Sequence, residues 1–381
     1  MVFLFQRIHT HYRVPVFEKL NSKLGGQLIF AHGQSPKNAY FSNGHDEEFP
    51  FKTVKLKNIW LGGEKAVWQN FTEVFRRYGT PQAVVSEHSP RILSSYPLFA
   101  YCKIKKIPII LWGHGGSRKR SISKSNALKD KIHRHLIRNA DAYICYTDGI
   151  KQELATITNP EKLFVARNSL DTETLYKIKS QLECNGKKKI KETLGLKRKY
   201  YLCFIGRLLN SKRVDQAIDV YRKLNQHIHD TGLIIIGDGP EKKKLLACAE
   251  KDKQGDVIFT GEIADWEISS RYLYCSDAML IPQSAGLAIN HAFSFGLPVI
   301  TQENPTHGPF HGPEIEYITN KQTGFICAHN DIDQMAACAK QILENKAYFT
   351  NQVDAYCRNY LSLEMMVNGI VNAIDYILLN S

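Results

Sequence analysis

The chain has 381 residues, of which 43% are hydrophobic and 23% are charged, and its formal net charge is +13. This composition is typical of a globular protein, excludes a disordered or fibrous chain, and at this length predicts two domains. The excess positive charge predicts an acidic partner such as nucleic acid, a phosphorylated metabolite or an anionic membrane surface.

Membrane insertion and secretion are not expected from the sequence. The longest apolar runs, 107–112 and 233–236, are far shorter than the roughly 18 residues that a membrane-spanning helix needs. The first residues lack a basic segment followed by a long apolar one, so no secretory signal is predicted. The nine cysteines include no Cys-x-x-Cys pair, which favours free thiols over a disulfide framework or zinc site. We therefore expect a soluble protein in the reducing cytoplasm.

Short apolar segments rich in β-forming residues alternate with helix-length segments along the chain. The predicted strands are 27–31, 83–86, 107–112, 142–146, 162–166, 200–205, 233–236, 257–260, 278–281, 298–301 and 324–326. The predicted helices include 117–140, 214–226, 241–251, 287–295, 332–344 and 363–379. Apolar strands that alternate with helices indicate parallel sheets covered on both faces. The sequence thus predicts an α/β protein with two doubly wound, Rossmann-like domains.

The predicted domain boundary follows the turn residues 168–171, which gives domains 1–172 and 173–362. Residues 1–172 contain 26 Lys and Arg against 13 Asp and Glu, whereas residues 173–381 contain 24 of each. The whole positive excess therefore belongs to the first predicted domain.

The loop 206–212 directly follows the predicted strand 200–205. Gly206 allows a tight turn, and Arg207 and Lys212 can then point over the carboxyl end of the sheet, where open α/β sheets bind ligands. A bidentate arginine and a compact lysine charge together suit a diphosphate. An ordinary solvated basic loop is the alternative, and the spacing alone leaves both interpretations open.

Two later loops also follow predicted strands, but only the second of them predicts a ligand site. The loop 237–240 is a helix-start turn that needs no ligand and lacks the Rossmann dinucleotide fingerprint. The loop after 282 opens a predicted helix near Gly286, and the free N–H groups of that helix start predict an anion site. Gln283 and His291 bracket this site.

Taken in order, the segments 206–212, 237–240, 259–261 and 286–300 resemble the family 4 (group 1) retaining glycosyltransferases of GT-B fold. The resemblance implies two domains that face a cleft, with a final helix, 363–381, that packs back on the first domain. It implies that Arg207 and Lys212 grip the donor diphosphate and that the third loop holds the sugar and ribose. The donor-binding residues it implies are Arg13, Gly206, Gly237, Gly261, Gly286, Leu287, Ala288, His291 and Glu314.

The sequence departs from this family at the third loop, where the family has a Glu-x7-Glu signature. Gln283 and His291 occupy those positions and can hydrogen-bond hydroxyl groups, but neither supplies a fixed negative charge. Either the chain is a divergent enzyme, which we favour, or it is a non-catalytic nucleotide-sugar-binding scaffold. A nucleotide-sugar epimerase of the same fold is a third hypothesis, and the sequence lacks its carboxylate set.

Two residues of the first domain are candidate contributors to the site. Arg13 is a candidate diphosphate contact, and a surface arginine is the alternative. His114 lies between glycines where the family places a cleft histidine, and a purely structural histidine is the alternative. The segment 307–317 contains histidines and carboxylates without the spacing of a zinc motif, so no metal is assigned there.

Basic residues are concentrated between Lys103 and Arg138, and the predicted helix 117–140 carries many of them. Its apolar residues Leu128, Ile132, Leu136 and Ile137 form one predicted buried stripe. A solvated basic face is one interpretation, and attachment to an anionic membrane surface is the other. Nucleic acid is disfavoured because aromatic residues do not cluster among the basic ones.

We therefore expect an enzyme that moves a sugar from a UDP- or GDP-sugar to a glycan or lipid-linked acceptor, in surface polysaccharide or lipopolysaccharide assembly. The expected catalytic residues are His114, Arg207, Lys212 and Gln283. No cofactor and no metal dependence are expected. The expected location is the inner face of the membrane, as a peripheral protein.

Overall fold

A computed structural model describes residues 1–36, 49–63, 65–116, 127–250 and 256–380. The chain divides into two compact units, the first formed by Met1–Asn168 with Leu363–Ser381 and the second by Ser169–Ser362. The first unit carries 26 Lys and Arg against 14 Asp and Glu, and the second carries 24 against 23. The positive excess therefore lies almost entirely in the first of the two observed units, as it does in the first predicted domain.

The first unit is built on a seven-stranded parallel sheet of order β3-β2-β1-β6-β7-β8-β9, beside a two-stranded antiparallel hairpin, β4-β5. Its strands are β1 (Val2–Gln6), β2 (Leu28–His32), β3 (Thr53–Lys55), β4 (Asn58–Leu61), β5 (Ala66–Gln69), β6 (Ala83–His88), β7 (Ile109–Gly113), β8 (Ala142–Cys145) and β9 (Leu163–Val165). Its helices include α1 (Val14–Lys23), α2 (Thr72–Tyr78), α3 (Ser95–Ile104), α4 (Leu128–Asn139) and α5 (Asp148–Ala155).

Both faces of the first sheet are buried, because successive residues of each strand point to opposite faces. In β1, Phe3 and Phe5 join the core under α2, α3, α4 and α5, whereas Val2 and Leu4 join the core under α1 and the final helix. This arrangement explains why the strands are apolar along their whole length.

The second unit has a six-stranded parallel sheet of order β12-β11-β10-β13-β14-β15. Its strands are β10 (Tyr200–Ile205), β11 (Thr231–Ile236), β12 (Val257–Gly261), β13 (Ala278–Leu280), β14 (Val299–Gln302) and β15 (Gly324–Cys327). Its helices are α6 (Thr172–Asn185), α7 (Lys187–Thr193), α8 (Val214–Asn225), α9 (Lys242–Ala249), α10 (Trp266–Cys275), α11 (Ala288–Ser294), α12 (Ile332–Glu344) and α13 (Lys346–Tyr360).

The final helix, α14 (Leu363–Leu379), returns to the first unit. Its apolar side chains pack into the core beneath the sheet, and Gly369 lets it approach β9 so closely that a Cβ there would lie 2.2 Å from the carbonyl oxygen of Val165. The segment Lys346–Leu379 is long and apolar enough to span a membrane by length and composition, and half of its most apolar window is buried. Packing in the core accounts for the apolar composition of α14.

The structure confirms the predicted α/β class with two doubly wound sheets, and several predicted bounds are those observed, including 200–205, 332–344 and 363–379. Strand β1 and the β4-β5 hairpin were not predicted. The predicted strand 278–281 ends at Leu280, before the loop, and the helix predicted from 287 begins at Ala288. All nine cysteines are free thiols, as predicted.

The predicted buried stripe on the basic helix is wrong in part. The predicted residues 117–126 lie outside the described residues, and the described helix is α4. Leu136 and Ile137 are buried, but Leu128 is 74% exposed and Ile132 is 41% exposed. The buried face includes Asp130 and His133 instead, since polar contacts below α4 replace part of the expected apolar packing.

Candidate functional site

Three loops at the carboxyl ends of β10, β11 and β12 are joined through their backbones. The N–H of Gly206 donates to the carbonyl of Ile236 at 2.9 Å, and the N–H of Gly237 donates to the carbonyl of Gly261 at 2.8 Å. A Cβ at Gly237 would lie 1.9 Å from the carbonyl oxygen of Gly206. Gly237 therefore permits close backbone packing at this edge of the sheet, whereas the Cβ position of Gly261 is open.

The first of these loops is tied to the loop after β13. The Nζ of Lys212 donates to the carbonyl of Ser284 at 2.5 Å, and the hydroxyl of Ser284 donates to the carbonyl of Ser211 at 3.0 Å. Burial lowers the pKa of Lys212, and the nearby carboxylate of Glu314 opposes that change. Arg207, in the same loop, is half-buried. The interpretation of a simply solvated basic loop is therefore wrong for Lys212.

Gln283 lies in a buried network of side-chain amides. Its Nε2 donates to the carbonyl of Pro309 at 2.8 Å, and its Oε1 accepts from the Nε2 of Gln302 at 3.2 Å. Gln302 also donates to Gln216 at 2.8 Å, and its Oε1 accepts from the N–H of Asn330 at 2.5 Å. Gln283 is only 1% exposed, so its amide faces Pro309 and the end of β14 rather than solvent.

Two residues of the segment after β14, His311 and Glu314, lie against the loop that follows β13. The Nδ1 of His311 accepts from the N–H of Ala285 at 2.9 Å, so its proton is on Nε2, and burial lowers its pKa to about 4. Glu314 is buried, with an oxygen 3.9 Å from the Cβ position of Gly286 and 2.2 Å from that of Gly312. Glu314 is thus near Gly286 and Lys212, as its predicted donor-side role requires.

His311 was not predicted as a site residue. Its segment was recognised only as a loop without a metal motif, and its contact with Ala285 joins positions 26 residues apart. No spacing in the sequence reports such a pairing.

The remaining predicted residues of the third loop lie at the start of α11. Leu287 directly precedes the helix, and Ala288 is its first residue. His291 is half-buried, its ring is edge-on to Trp266 with 5.6 Å between centroids, and burial lowers its pKa to about 4. His291 is therefore a neutral imidazole at neutral pH and does not replace the charge of a glutamate.

In the first unit, Tyr146 brings together the two predicted residues Arg13 and His114. The Nη2 of Arg13 donates to the Tyr146 hydroxyl at 3.0 Å, and the ring of His114 lies 4.6 Å from that of Tyr146. The Arg13 guanidinium also stacks 4.9 Å from the ring of Trp112. Arg13 is buried and His114 is exposed, so the interpretation of Arg13 as a surface arginine is wrong.

A buried hydrogen-bond chain supports the loop that carries His114. The N–H of Gly115 donates to the hydroxyl of Tyr143 at 3.0 Å, and that hydroxyl also hydrogen-bonds with Nδ1 of His88 at 2.9 Å. The Nε2 of His88 hydrogen-bonds in turn with Nδ1 of His133 at 2.7 Å. Sequence analysis missed this chain, because its members come from β6, β8 and α4.

The structure thus gathers the predicted residues into two groups, each within one unit. Arg207, Lys212, Gln283, Gly286 and Glu314 lie on contacting loops of the second unit, together with the other predicted glycines and the start of α11. Arg13 and His114 meet at Tyr146 in the first unit. Among the residues that the structure describes, no three His, Cys, Asp or Glu side chains are grouped to hold a metal ion.

Comparison with known proteins identifies the second unit. Residues 186–360 match the family described as glycosyl transferases group 1. Residues 186–360 therefore resemble this glycosyltransferase family. The match covers the loops that hold Arg207, Lys212, Gln283 and Glu314, and it confirms the predicted family.

The relatives and solved structures agree with this assignment. Glycogen synthase of Mycobacterium tuberculosis is 24% identical over 270 residues, which cover 68% of this chain and 60% of that protein. HepE of Anabaena, solved with UDP, is 15% identical with a TM-score of 0.70, covering 98% of this chain and 99% of HepE. The apo lipopolysaccharide outer core galactosyltransferase WaaB is 15% identical with a TM-score of 0.65, covering 98% of each chain.

These similarities establish the GT-B-like fold of this chain. The chain spans about 60% of the length of the first curated relatives that it matches.

Proposed function

We propose that this glycosyltransferase moves a sugar from a UDP-sugar to a glycan or lipid-linked acceptor with retention of configuration. In that reaction the bond between the anomeric carbon and the donor phosphate oxygen breaks. A glycosidic bond to an acceptor oxygen forms, and UDP leaves. The observation that carries the proposal is the joined pair of loops at Lys212 and Ser284, which contains cations, glycines and the start of α11 at one sheet edge.

The chemistry that this edge can supply is stabilisation of the departing diphosphate. The loop of Arg207 and Lys212 supplies two cationic side chains, and the backbone contact with Ser284 fixes where the Lys212 ammonium lies. A preorganised cation lowers the energy of negative charge that develops in the transition state without reorganising at the moment of reaction. The buried carboxylate of Glu314, close to Lys212, balances that charge when no donor is bound.

The structural neighbours support the proposed donor and pathway. HepE was solved with UDP, which favours UDP over GDP as the nucleotide of this chain. WaaB is a galactosyltransferase of the lipopolysaccharide outer core, which supports an acceptor in surface polysaccharide or lipopolysaccharide assembly. We extend these properties to this chain as part of the proposal.

A location at the inner face of an anionic membrane belongs to the same proposal. Leu128 and Ile132 are exposed on α4 beside Lys129, Lys131 and Arg134, so that helix presents apolar and basic groups together. Such a helix binds at the interface of an anionic bilayer. A membrane-bound acceptor also accounts for a positive excess confined to the first unit.

A second candidate function is a non-catalytic nucleotide-sugar-binding scaffold. The absence of a charge at Gln283 favours it. Its amide is neutral, and both of its polar atoms are used within the protein. The proposed enzyme must therefore work without a fixed charge at this position.

A panel of UDP-, GDP- and ADP-sugars separates the two functions when thermal shift and nucleotide release are followed together. The enzyme proposal predicts that a UDP-sugar raises the melting temperature and that UDP is released once a suitable glycan or lipid-linked acceptor is added. Stabilisation without release across the acceptors would support the scaffold. No stabilisation by any nucleotide sugar would contradict both.

A further inference from the structure

Two cysteine side chains meet between β15 and α12 in the second unit. Cys327 is the last residue of β15, and Cys338 lies in the middle of α12. Their sulfur atoms are 3.7 Å apart, and the Cys327 thiol donates a hydrogen bond to the Cys338 sulfur. Both are free thiols. The sulfurs of a disulfide are about 2.05 Å apart, so a small further approach would join the two side chains.

The two thiols differ in exposure and in acidity. Cys327 is only 1% exposed and belongs to the core of the second unit, whereas Cys338 is half-buried and packs against that core. The hydrogen bond from Cys327 lowers the pKa of Cys338, because it stabilises the thiolate. The thiolate is the form that attacks an oxidant. Cys338 is therefore the thiol that reacts first, and Cys327 is placed to complete a bond.

The loop between the two cysteines is tied to the amide network of Gln283. The N–H of Asn330, in this loop, donates to Oε1 of Gln302 at 2.5 Å, and Nε2 of Gln302 donates to Oε1 of Gln283 at 3.2 Å. Gln302 is also the β14 residue that pairs with Cys327. A shift of either cysteine would therefore move the contacts of Gln302.

We propose that Cys327 and Cys338 are a site of reversible disulfide formation, with hydrogen peroxide as the oxidant. The Cys338 thiolate attacks one peroxide oxygen, the O–O bond breaks and hydroxide leaves, so Cys338 becomes a sulfenic acid. The Cys327 sulfur then attacks the Cys338 sulfur. The S–S bond forms, the S–O bond breaks, and the hydroxyl leaves as water with the thiol proton of Cys327.

The overall reaction oxidises two thiols by two electrons and reduces one peroxide to two molecules of water. A dithiol reductant reverses it by thiol–disulfide exchange. Disulfides of this kind, which form and break inside cells, are typically redox-sensing. The modification is separate from glycosyl transfer and needs no nucleotide sugar.

Oxidation would also act on the candidate donor loops, and this consequence rests on the proposed function. Joining the sulfurs draws α12 and the end of β15 together, which weakens the hydrogen bond from Asn330 to Gln302. Gln302 in turn contacts Gln283, in the loop after β13. We expect the oxidised chain to bind UDP more weakly than the reduced chain.

The test exposes the full chain to hydrogen peroxide, alkylates the remaining thiols and maps the peptides by mass spectrometry without reduction. The tryptic peptide 322–340 contains both cysteines. In the wild type it is expected to lose both alkylation sites and two hydrogens, and dithiothreitol should restore both sites. Cys184 is the reference thiol, because it is exposed and lies in the same unit. Oxidation of Cys184 while Cys327 and Cys338 are both still alkylated would overturn the proposal.

Two variants separate the roles of the cysteines. In Cys327→Ser, the sulfenic acid of Cys338 has no second thiol to react with, so its trapping by dimedone is expected to rise above that of the wild type. In Cys338→Ser, Cys327 is expected to stay a thiol because it is buried. Equal dimedone trapping in the wild type and Cys327→Ser would contradict the order of attack. The wild-type peptide alone decides whether the disulfide forms, so a destabilised variant does not affect that result.

Calorimetry with UDP tests the effect on the donor loops. The oxidised wild type is expected to bind UDP about fivefold more weakly than the reduced protein, since one buried hydrogen bond is weakened. Peroxide-treated Cys338→Ser should bind as the reduced wild type does, whereas the control Cys184→Ser should still lose affinity on oxidation. Equal affinities of the oxidised and reduced wild type would overturn this effect. A reduced wild type that binds no UDP would contradict the proposed function, and the peptide masses would still test the disulfide.

Discussion

The two units hold their candidate residues by different means. In the second unit, loops at strand ends are joined by backbone bonds, as between Gly237 and Gly261, or by a side chain that donates to a backbone carbonyl, as between Lys212 and Ser284. In the first unit, Arg13 and His114 meet through the side chain of Tyr146, and histidines and a tyrosine support them from below. The second unit carries nearly balanced charge, and the first carries almost all of the excess.

This difference shows why a diphosphate site need not be a strongly basic domain. In the proposed site, two placed cations and backbone N–H groups contact the donor, so the second unit needs no surplus charge for that role. Surplus lysines and arginines act at longer range, where they attract an anionic surface. We therefore propose that the donor binds the second unit and that the first unit provides the acceptor side, with its membrane contact.

Gly237→Ala should have the largest effect, because it breaks the backbone packing that characterises the second unit. Its Cβ would lie 1.9 Å from the carbonyl oxygen of Gly206, and neither backbone can move without separating β10 from β11. We expect a loss of about 4 kcal/mol or more in the free energy of unfolding of that unit. Urea denaturation measures it.

Gly261→Ala is the control for this prediction. Gly261 also has a positive φ, 77°, but no atom within 4 Å of its Cβ position, so only about 1 to 2 kcal/mol of backbone strain is expected. Equal destabilisation by the two variants would show that conformation, and not close approach, explains these glycines.

Prediction from the sequence succeeded where one local feature determines the outcome. Gly206 and Arg207 follow a strand directly, and the apolar pattern of 332–344 defines its helix with the observed bounds. Prediction failed where a side chain's hydrogen bonds go to residues distant in the sequence. Gln283 bonds with Pro309 and Gln302, and His88 bonds with Tyr143 and His133. The hairpin was missed because its two strands are short and have one exposed apolar face.

Gln283→Glu tests how the second unit holds its candidate residues, because it places a charge in the buried amide network. The carbonyl of Pro309 would lose its donor and face a buried carboxylate. We expect the free energy of unfolding to fall by about 2 kcal/mol at neutral pH. Burial would raise the pKa of the new carboxyl above its unfolded value, so the loss should shrink as the pH falls and the group becomes protonated.

Gln334→Glu is the matched control. Gln334 is exposed and uses its Oε1 to accept from the N–H of Ala328, a role that a carboxylate also fills. Urea denaturation at two pH values is the measurement, and equal pH dependence of both variants would contradict the described network.

The histidine chain of the first unit gives the smallest predicted effect near neutral pH. Burial lowers the pKa of His88 to about 3, and it also lowers that of His133. The unfolded chain takes up these protons first as the pH falls through about 6.5, so stability is lost below that pH. His88 should contribute about 1.4 kcal/mol of this loss per pH unit until the pH nears its folded pKa, and His133 should add to the loss.

Hydrogen exchange of the β6 amides measures this loss of stability in the first unit alone. His88→Gln should weaken the pH dependence by one histidine's share, whereas His307→Gln, at an exposed position of the second unit, should leave it unchanged. The same pH dependence in wild type and His88→Gln would show that His88 is not held neutral by the chain.

The most direct test of the account is the affinity for UDP, measured by calorimetry, of a charge reversal in the donor loop. Arg207→Glu/Lys212→Glu is compared with Lys188→Glu/Lys243→Glu, which makes the same change of charge at two exposed positions of the second unit. The account predicts that the donor-loop variant loses about a hundredfold or more in affinity, since two charge-assisted contacts become repulsive, and that the control binds as the wild type does. Equal affinities of both variants would contradict the assignment of the donor diphosphate to Arg207 and Lys212.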